Sequence, residues 1–408
     1  MKYLRTVARI FVGAVFIFSG FVKAIDPHGS AIKFEEYFIA FNLDFLSLLA
    51  FPLAILLSST EFMIGINLVT RVRMKFTSWL LILFMSFFTV LTLILALTNP
   101  VTDCGCFGDA IKLTNWQTFW KNIIIIIPAI FIFSSRKKFS EVLKPVFEWI
   151  LAGTGFLFAA LLSLYCLLHL PLLDFRPYRT GTNIKDSMTI PDGAPSDIYD
   201  IILVYEKDGI SQEFTPLNYP WSDSSWTWVE TKQKLVSKGY EPPIHDFSIS
   251  TENGEIITDS ILSDTGYTLL MIAPDLDRSP RKLIAGAESI FQRSKELNID
   301  FLCLTSSPGN IILKFREELN PSYPVCTTDE TTLKTIIRAN PGIMLLHEGT
   351  IIGKWNIRDF TATDQLKADM TSFSLNCQRH EHDILIILTV FFGLSLIYTV
   401  LFGFMRGK

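Results

Sequence analysis

Two cysteines separated by a single glycine, Cys104-Gly105-Cys106, open the string CGCFGDAIKLTNWQTFWKN. A thiolate attacks disulfides, and two nearby thiols can close into one by losing two electrons and two protons. Bridging residues one apart contorts the backbone, and Gly105 relaxes the steric limit on doing so. A strained bond is easily reduced, so the pair reads as an oxidising, labile thiol–disulfide couple. Asp103 and Asp109 flank it, and negative charge nearby disfavours a thiolate. The competing reading is a tight surface loop anchored by Phe107 and Trp116 at a membrane interface. Both readings stay open at the level of sequence.

Other reactive side chains fall near the same depth. Cys166 lies close to the end of an apolar run, and Cys377 opens CQRHEHD. Four cysteines in one leaflet could form a relay, in which Cys377 or the CGC pair meets a partner and a membrane quinone takes the electrons. Cys166 reads equally as an apolar helix filler. Cys377, His380 and His382 match no recognised metal spacing, so no metal site is expected. Cys303 and Cys326 sit inside apolar strand patterns and read as small buried residues. Glu61 interrupts another apolar run, where an ionisable group is expensive. Counted from the inner helix ends, it lies about 12 Å deep and Arg9 about 5 Å. A buried Arg9–Glu61 pair locking two helices is expected, with a proton or quinone role as the alternative. Lys23 is expected to snorkel to the nearer surface.

The elements that must position these groups follow from composition. The chain has 408 residues, 49% of them hydrophobic and only 19% charged, with a mean hydropathy of +0.35. That excludes a disordered chain, and a net charge of −4 gives no basic surface for nucleic acid. A helix crossing a bilayer needs roughly 20 apolar residues. Six segments qualify, at about 6–25, 46–69, 78–98, 119–135, 147–170 and 383–405. The first follows Lys2, Arg5 and Arg9 like a secretory signal, but it runs on to Val22 and Lys23 and reads as an uncleaved helix. Lys and Arg cluster on alternate loops, which places both termini in the cytoplasm and the long 172–382 insertion outside. In a bacterium that means an inner-membrane protein with a periplasmic domain.

The strings FSGFVKAIDP, TEFMIGINL and CGCFG resemble the DoxX family and its MauE-like relatives, compact four-helix membrane proteins, over about residues 1–140. The resemblance implies a link to periplasmic disulfide maturation, or to a thiosulfate:quinone oxidoreductase. It also implies kinship with the four-helix disulfide-and-quinone enzymes DsbB and vitamin K epoxide reductase. Those carry CxxC where this chain has CxC.

From Pro243 onward the pattern alternates between strand and helix, and DFSI, NGEIIT and YTLLMIAP resemble the entry of TlpA-like thioredoxins. An NG turn at Asn253-Gly254 suggests a hairpin. Buried strands are expected at YTLLMIAP and DFLCLTSS, and a terminal hairpin at PGIMLLHEGTIIGKW. Pro341 stands where the resemblance implies a cis-proline. Where that family has WCxxC, this chain reads APDLDRSPRK, so the fold is expected without its dithiol. The aromatic stretch around Tyr219, Trp221, Trp226 and Trp228 reads as packing against the thioredoxin-like sheet, with a binding groove or membrane-interface belt as alternatives.

The fold expected is a multi-pass α-helical membrane bundle of about six helices with an α/β thioredoxin-like periplasmic domain. Its divisions are a four-helix domain at 1–140, a fifth span at 141–172, an extension at 173–242, the thioredoxin-like domain at 243–376, and the sixth span and tail at 377–408. Two functions fit. One is envelope thiol–disulfide maturation at Cys104, Cys106 and Cys377, with a client docked on the outer domain and a quinone possible as cofactor. The other is a non-enzymatic membrane scaffold whose outer domain binds a partner protein.

Overall fold

A computed structural model describes residues 2–101, 103–139 and 144–360, with six further positions between 370 and 393. Five helices among them are long and apolar enough to cross a bilayer. They include α1 (Lys2–Ile25), α3 (Ala50–Thr70, led in by a 3-10 turn from Asp44), α4 (Met74–Thr98), α5 (Asn115–Ser134) and α6 (Pro145–Leu168). Cys377, His380, His382 and all but four residues of the expected sixth span lie outside the described residues.

The stretch 26–45, expected as a loop, instead forms α2 (Pro27–Ala40). Asp26 caps it by accepting from the Gly29 amide at 2.8 Å, and Pro27 fills the first helical position, where no amide donor is needed. Its apolar side packs Ala31, Phe34 and Phe38 against Ala50 and Ala54 of α3.

Helices α1 and α3 approach closely because their contact is made of small residues. A Cβ on Gly20 would fall 2.5 Å from the Phe62 amide nitrogen, and one on Gly65 would fall 2.6 Å from that of Ile17. In lipid, where apolar burial drives little association, such backbone proximity is what holds helices together. It also sets Ser19 and Lys23 directly against Glu61.

Beyond α6 the chain makes α7 (Ile184–Met188) and a three-stranded antiparallel sheet of β1 (Ile198–Lys207), β2 (Ile210–Phe214) and β3 (Thr227–Ser237), ordered β2-β1-β3. The aromatic stretch belongs to this sheet. Trp226 packs edge-on to Phe214, Tyr219 stacks on Tyr205, and all of β3 is exposed. These side chains are therefore held within their own sheet, and the expected packing against the thioredoxin-like sheet is not what fixes them.

The remaining elements are α8 (Thr258–Leu262), β4 (Tyr267–Ile272), α9 (Arg281–Ala285), α10 (Ala287–Glu296), β5 (Asp300–Thr305), α11 (Gly309–Leu319), β6 (Val325–Thr327), α12 (Glu330–Ile336), β7 (Gly342–His347) and β8 (Thr350–Asn356). Their sheet runs β6-β5-β4-β7-β8, parallel across β4, β5 and β6 and antiparallel at β7 and β8, a thioredoxin-like order. Both faces are covered, which is why its strands read as continuous apolar runs. Leu269, Met271, Ile343 and Leu345 point to one core with Ile290 and Phe315. Leu270, Ile272, Met344 and Leu346 point to the other, with Leu333, Ile336 and Phe247. Cys303 and Cys326 are buried in these cores, as expected, and burial pushes the Cys303 thiol up. The NG hairpin shrinks to a turn at Gly254 closed by one Ser250–Ile256 bridge, because Ser250 also pairs with Thr327 of β6.

Candidate functional site

The CGC loop is built by both flanking helices and by α2. At its far end Thr114 caps α5 through a reciprocal capping box with Gln117, and Asn115 donates to Asn99 and to the Val101 carbonyl. Gly105 and Gly108 take φ of +63° and +52°, and the Gly108 amide donates to the Gly105 carbonyl at 3.0 Å. These left-handed conformations are open to glycine at little cost. Two hydroxyls then reach the cysteines' own carbonyls: Tyr37 of α2 donates to Cys104 at 2.6 Å, and Ser19 of α1 lies 2.8 Å from that of Cys106.

Within this frame the two sulfurs sit 3.3 Å apart, with Cys104 buried and Cys106 half-buried. They are not equivalent. The two sulfurs share a hydrogen bond, and this contact together with Lys121 and Lys23 draws Cys106 below its ordinary value against the opposing effect of burial. Cys104 is pushed up by the same contact, by burial, and by the charge on Cys106. A low-lying, more accessible thiolate beside a buried thiol is the usual division between attacking and resolving sulfurs. The flanking carboxylates do not work against it. Asp103 accepts from the Gly105 amide and pairs with Lys33 at 3.2 Å, and Asp109 pairs with Arg338 at 2.9 Å.

Behind Cys106 lies a buried ion pair that differs from the expected one. Lys23 Nζ donates to Glu61 Oε1 at 2.7 Å and Oε2 at 2.9 Å, and to Ser19 Oγ at 3.1 Å. Arg9 instead donates to the carbonyls of Leu68 and Val69 at the opposite end of the bundle. The expected Arg9–Glu61 pair is therefore absent, since α1 and α3 run antiparallel in a register that sets Glu61 against Lys23. Nor does Lys23 snorkel to a surface, for its side chain is only 7% exposed. The 19/23 spacing, one helical turn on a face shared with Gly20, was the available sequence signal.

Below the loop a cavity of about 220 Å³ runs into the bundle. Phe16, Phe34, Phe38, Phe84 and Phe88 line its walls, while Cys104, Cys106, Lys23, Lys33, Lys121 and Glu61 stand at its polar end. Phe41, Leu43 and Phe87 line it too and are exposed on the apolar flank of the bundle, so it opens sideways. Cys166 does not line it. That residue is buried among Ala24, Ile25, Phe62 and Leu162, the packing role the sequence allowed.

The C-terminal α/β domain meets this site through its proline loop. Asn340–Pro341 is cis, where the resemblance placed it. Arg338, almost fully buried, donates to Asp26 at the head of α2 at 3.0 Å and to Asp109 of the CGC loop at 2.9 Å. Further along, His169 lies 2.6 Å from Asp359, and the Asn356 amide reaches the Leu168 carbonyl at 3.2 Å. A buried cluster of Asp174, Arg176 and Lys354 lies beside these contacts. No sequence signal marked Arg338, because its partners lie 312 and 229 residues away.

The place where a thioredoxin would carry its dithiol is closed by polar contacts. The Asp275 carboxylate accepts from the amides of Asp277 and Arg278 at 3.0 and 3.1 Å. Asn340 donates to the Asp275 carbonyl at 2.7 Å, and Ser279 Oγ lies 2.8 Å from Asn340 Oδ1.

Residues 1–135 match the family model of the methylamine utilisation protein MauE, and residues 199–238 match a domain of unknown function, DUF8463. The N-terminal bundle is thus similar to MauE. Protein TlpB of Flavobacterium psychrophilum is 27% identical over 333 residues, which span 79% of this chain and 82% of that protein. Among solved structures, that of a protein from Bacteroides thetaiotaomicron, provisionally described as a protein disulfide isomerase, is 16% identical. It covers 34% of this chain and 90% of that one, with a TM-score of 0.24.

Proposed function

We propose that this chain, with its MauE-like bundle, is a bacterial inner-membrane thiol–disulfide oxidoreductase that works at Cys104 and Cys106 on the periplasmic side. The observation that carries the reading is the asymmetric pair, with sulfurs 3.3 Å apart, Cys104 buried and Cys106 half-buried at the polar end of the cavity. A client thiolate attacks Cys106 Sγ of the oxidised pair, the S–S bond breaks, and its electrons leave on Cys104, which takes a proton. The second client thiolate then attacks the mixed disulfide and releases Cys106 as a thiolate. The client loses two electrons and two protons; one proton rests on Cys104 and the other goes to water. Stabilising the reduced form in this way makes a dithiol couple more oxidising. Cys377, expected on the same side, stays in the reading as a further thiol for partner exchange.

Reoxidation needs a two-electron acceptor, and a lipid-soluble quinone would supply that chemistry. The cavity's residues fit such a group: aromatic walls, a lateral opening among exposed apolar side chains, and lysines at the sulfur end. Its volume lies below the roughly 300–1,000 Å³ typical of drug-sized ligands, which suits a single ring. Here Phe34 and Phe88 would pack the ring, and Lys121 would orient it toward Cys106.

The scaffold reading draws on a different observation. The outer domain has no cysteine from 274 to 302, and it uses its proline loop to grip the bundle through Arg338. On that reading the domain is a clamp and partner platform. Trapping separates the two. Full-length protein with Cys104→Ser should accumulate mixed disulfides at Cys106 with periplasmic proteins. If it accumulates none, and Cys104 and Cys106 keep one redox state under oxidant and reductant, the scaffold reading stands instead.

A further inference from the structure

The Lys23–Glu61 pair makes and breaks no bond in the exchange just described, yet it is buried inside a membrane bundle directly behind the loop. Isolated charges there are costly, and a buried pair is weak evidence for stability, since apolar residues of similar volume often serve as well. Its position suggests another use. Lys23 and Cys106 line the same cavity, and Ser19, which accepts from Lys23, reaches the Cys106 carbonyl at 2.8 Å. Glu61 grips Lys23 with both oxygens, which fixes where the cation sits.

We propose that Lys23, held by Glu61 and Ser19, is a positioning residue that stabilises the Cys106 thiolate when the pair is reduced, and so makes the couple more oxidising. The inference rests on the proposed exchange at Cys106. Every charged group around that sulfur has an assigned place. On α5, Lys121 lies over the Phe107 ring at 4.5 Å and shares the work as a second cation. On α2, Lys33 is engaged by Glu36 and Asp103, and Tyr37 by the Cys104 carbonyl. In the loop itself, Asp109 is held by Arg338. Glu61 carries the opposing charge, and its hydrogen bonds go to Ser19 and Lys23. Lys23 is the cation held from within the bundle, by both Glu61 oxygens and Ser19, whereas Lys121 reaches Cys106 directly. The electrostatic effect of Lys23 on Cys106 has the same sign as that of Lys121.

The test uses the full-length protein in lipid nanodiscs, with Cys106 alkylation by iodoacetamide read by mass spectrometry from pH 5 to 9. Lys23→Met alone would strand a buried carboxylate, so the informative variant is Lys23→Met with Glu61→Gln, which removes both charges and keeps the volume. The double variant should shift the alkylation midpoint upward by about one unit, a tenfold loss of thiolate below it. Its equilibrium against glutathione should move about tenfold toward the disulfide, or ~30 mV. Lys23→Arg should keep the wild-type profile. A folded double variant with an unchanged midpoint and potential overturns the proposal, because a merely structural pair predicts that result. Wild-type Cys106 behaving as an ordinary thiol that never exchanges with glutathione disulfide would overturn the proposed function and this inference together.

Discussion

Two regions of the molecule have the makings of a thiol–disulfide site, and they have been finished in opposite ways. In the C-terminal domain the thioredoxin-like sheet and the cis-proline loop are intact, but Asp275, Ser279 and Asn340 fill the reactive position with hydrogen bonds to one another. At the CGC loop there is no thioredoxin scaffold, yet two sulfurs lie in contact, flanked by cations and pinned by hydroxyls from α1 and α2. The contrast teaches that the reactive position and its supporting fold are separable. A dithiol needs close sulfurs and a stabilised thiolate, and on the proposed reading the CGC loop, braced by α1 and α2, supplies both.

The sharpest way to break this comparison is to remove the sulfurs. Serine at either Cys104 or Cys106 should abolish net client oxidation, because the disulfide that the client reduces needs both sulfurs, although Cys104→Ser still traps clients at Cys106. Serine at Cys303 or Cys326, both buried in the C-terminal domain, should leave turnover of the folded protein unchanged. Client disulfide formation followed by electrophoretic mobility shift checks both. Full activity in a Cys104→Ser/Cys106→Ser variant would move the chemistry elsewhere in the chain.

A second test asks whether the C-terminal domain serves the membrane loop. Arg338→Ala strips the partner from two carboxylates in a mostly buried contact, a change that costs on the order of 3 kcal/mol. The domain should loosen from the bundle, proteolysis near residues 169–176 should quicken, and Cys106 should become more reactive. Acid should mimic the variant. Burial pushes Asp26 upward, but Arg338 and then Arg176 outweigh it and hold the carboxyl below its ordinary value. A depressed carboxyl contributes its stability above the unfolded value of about 3.9 and loses it as pH falls through the folded one. The clamp should therefore be intact at neutral pH and release only below about pH 4, which hydrogen exchange at the α2 N-terminus would show.

The third expectation is smaller and separates the two regions by pH. Thiolate at Cys106 should persist to lower pH than at an ordinary thiol, because the contact with Cys104 and the nearby Lys121 and Lys23 outweigh burial. The Cys303 thiol of the C-terminal domain is pushed up by burial, and should resist alkylation at the same pH in the folded protein. A shared profile would mean that the loop gives its sulfurs no special environment.

How much of this could be read from sequence depended on whether the cause was local. The apolar runs marked five described spans, and the order of strands and helices marked the thioredoxin-like sheet, because burial on both faces writes itself into consecutive residues. The CGC loop was legible as chemistry because glycine and cysteine types speak for themselves. Glu61 stands out in the sequence as a charge inside an apolar run, but its partner does not. Counting residues from approximate helix ends cannot fix a register that Gly20 and Gly65 set by close approach. Helix α2 escaped notice because its pattern is only weakly apolar, although Asp26-Pro27 was a start signal in plain view. Arg338 had no local mark at all, since its role exists only once the two domains meet.

The finest test of the comparison lies in the backbone of the loop. Gly105 has φ of +63°, and a Cβ there would fall 2.9 Å from Lys33 Cγ, within the flexible stem of that side chain. Gly105→Ala therefore meets two modest penalties: a left-handed conformation costing roughly 1–2 kcal/mol for a residue with a side chain, and a shift of Lys33 away from Asp103. The bundle has no reason to unfold, because neither penalty reaches the α1–α3 contact. What should change is the equilibrium between dithiol and disulfide, since Gly105 is the hinge on which the sulfurs turn toward one another. A several-fold shift against glutathione, with unchanged thermal stability of the bundle, would show that the loop's strain belongs to its chemistry. Equal loss of stability and exchange would show instead that the glycine only lets the loop close, as Gly254 does in the C-terminal domain.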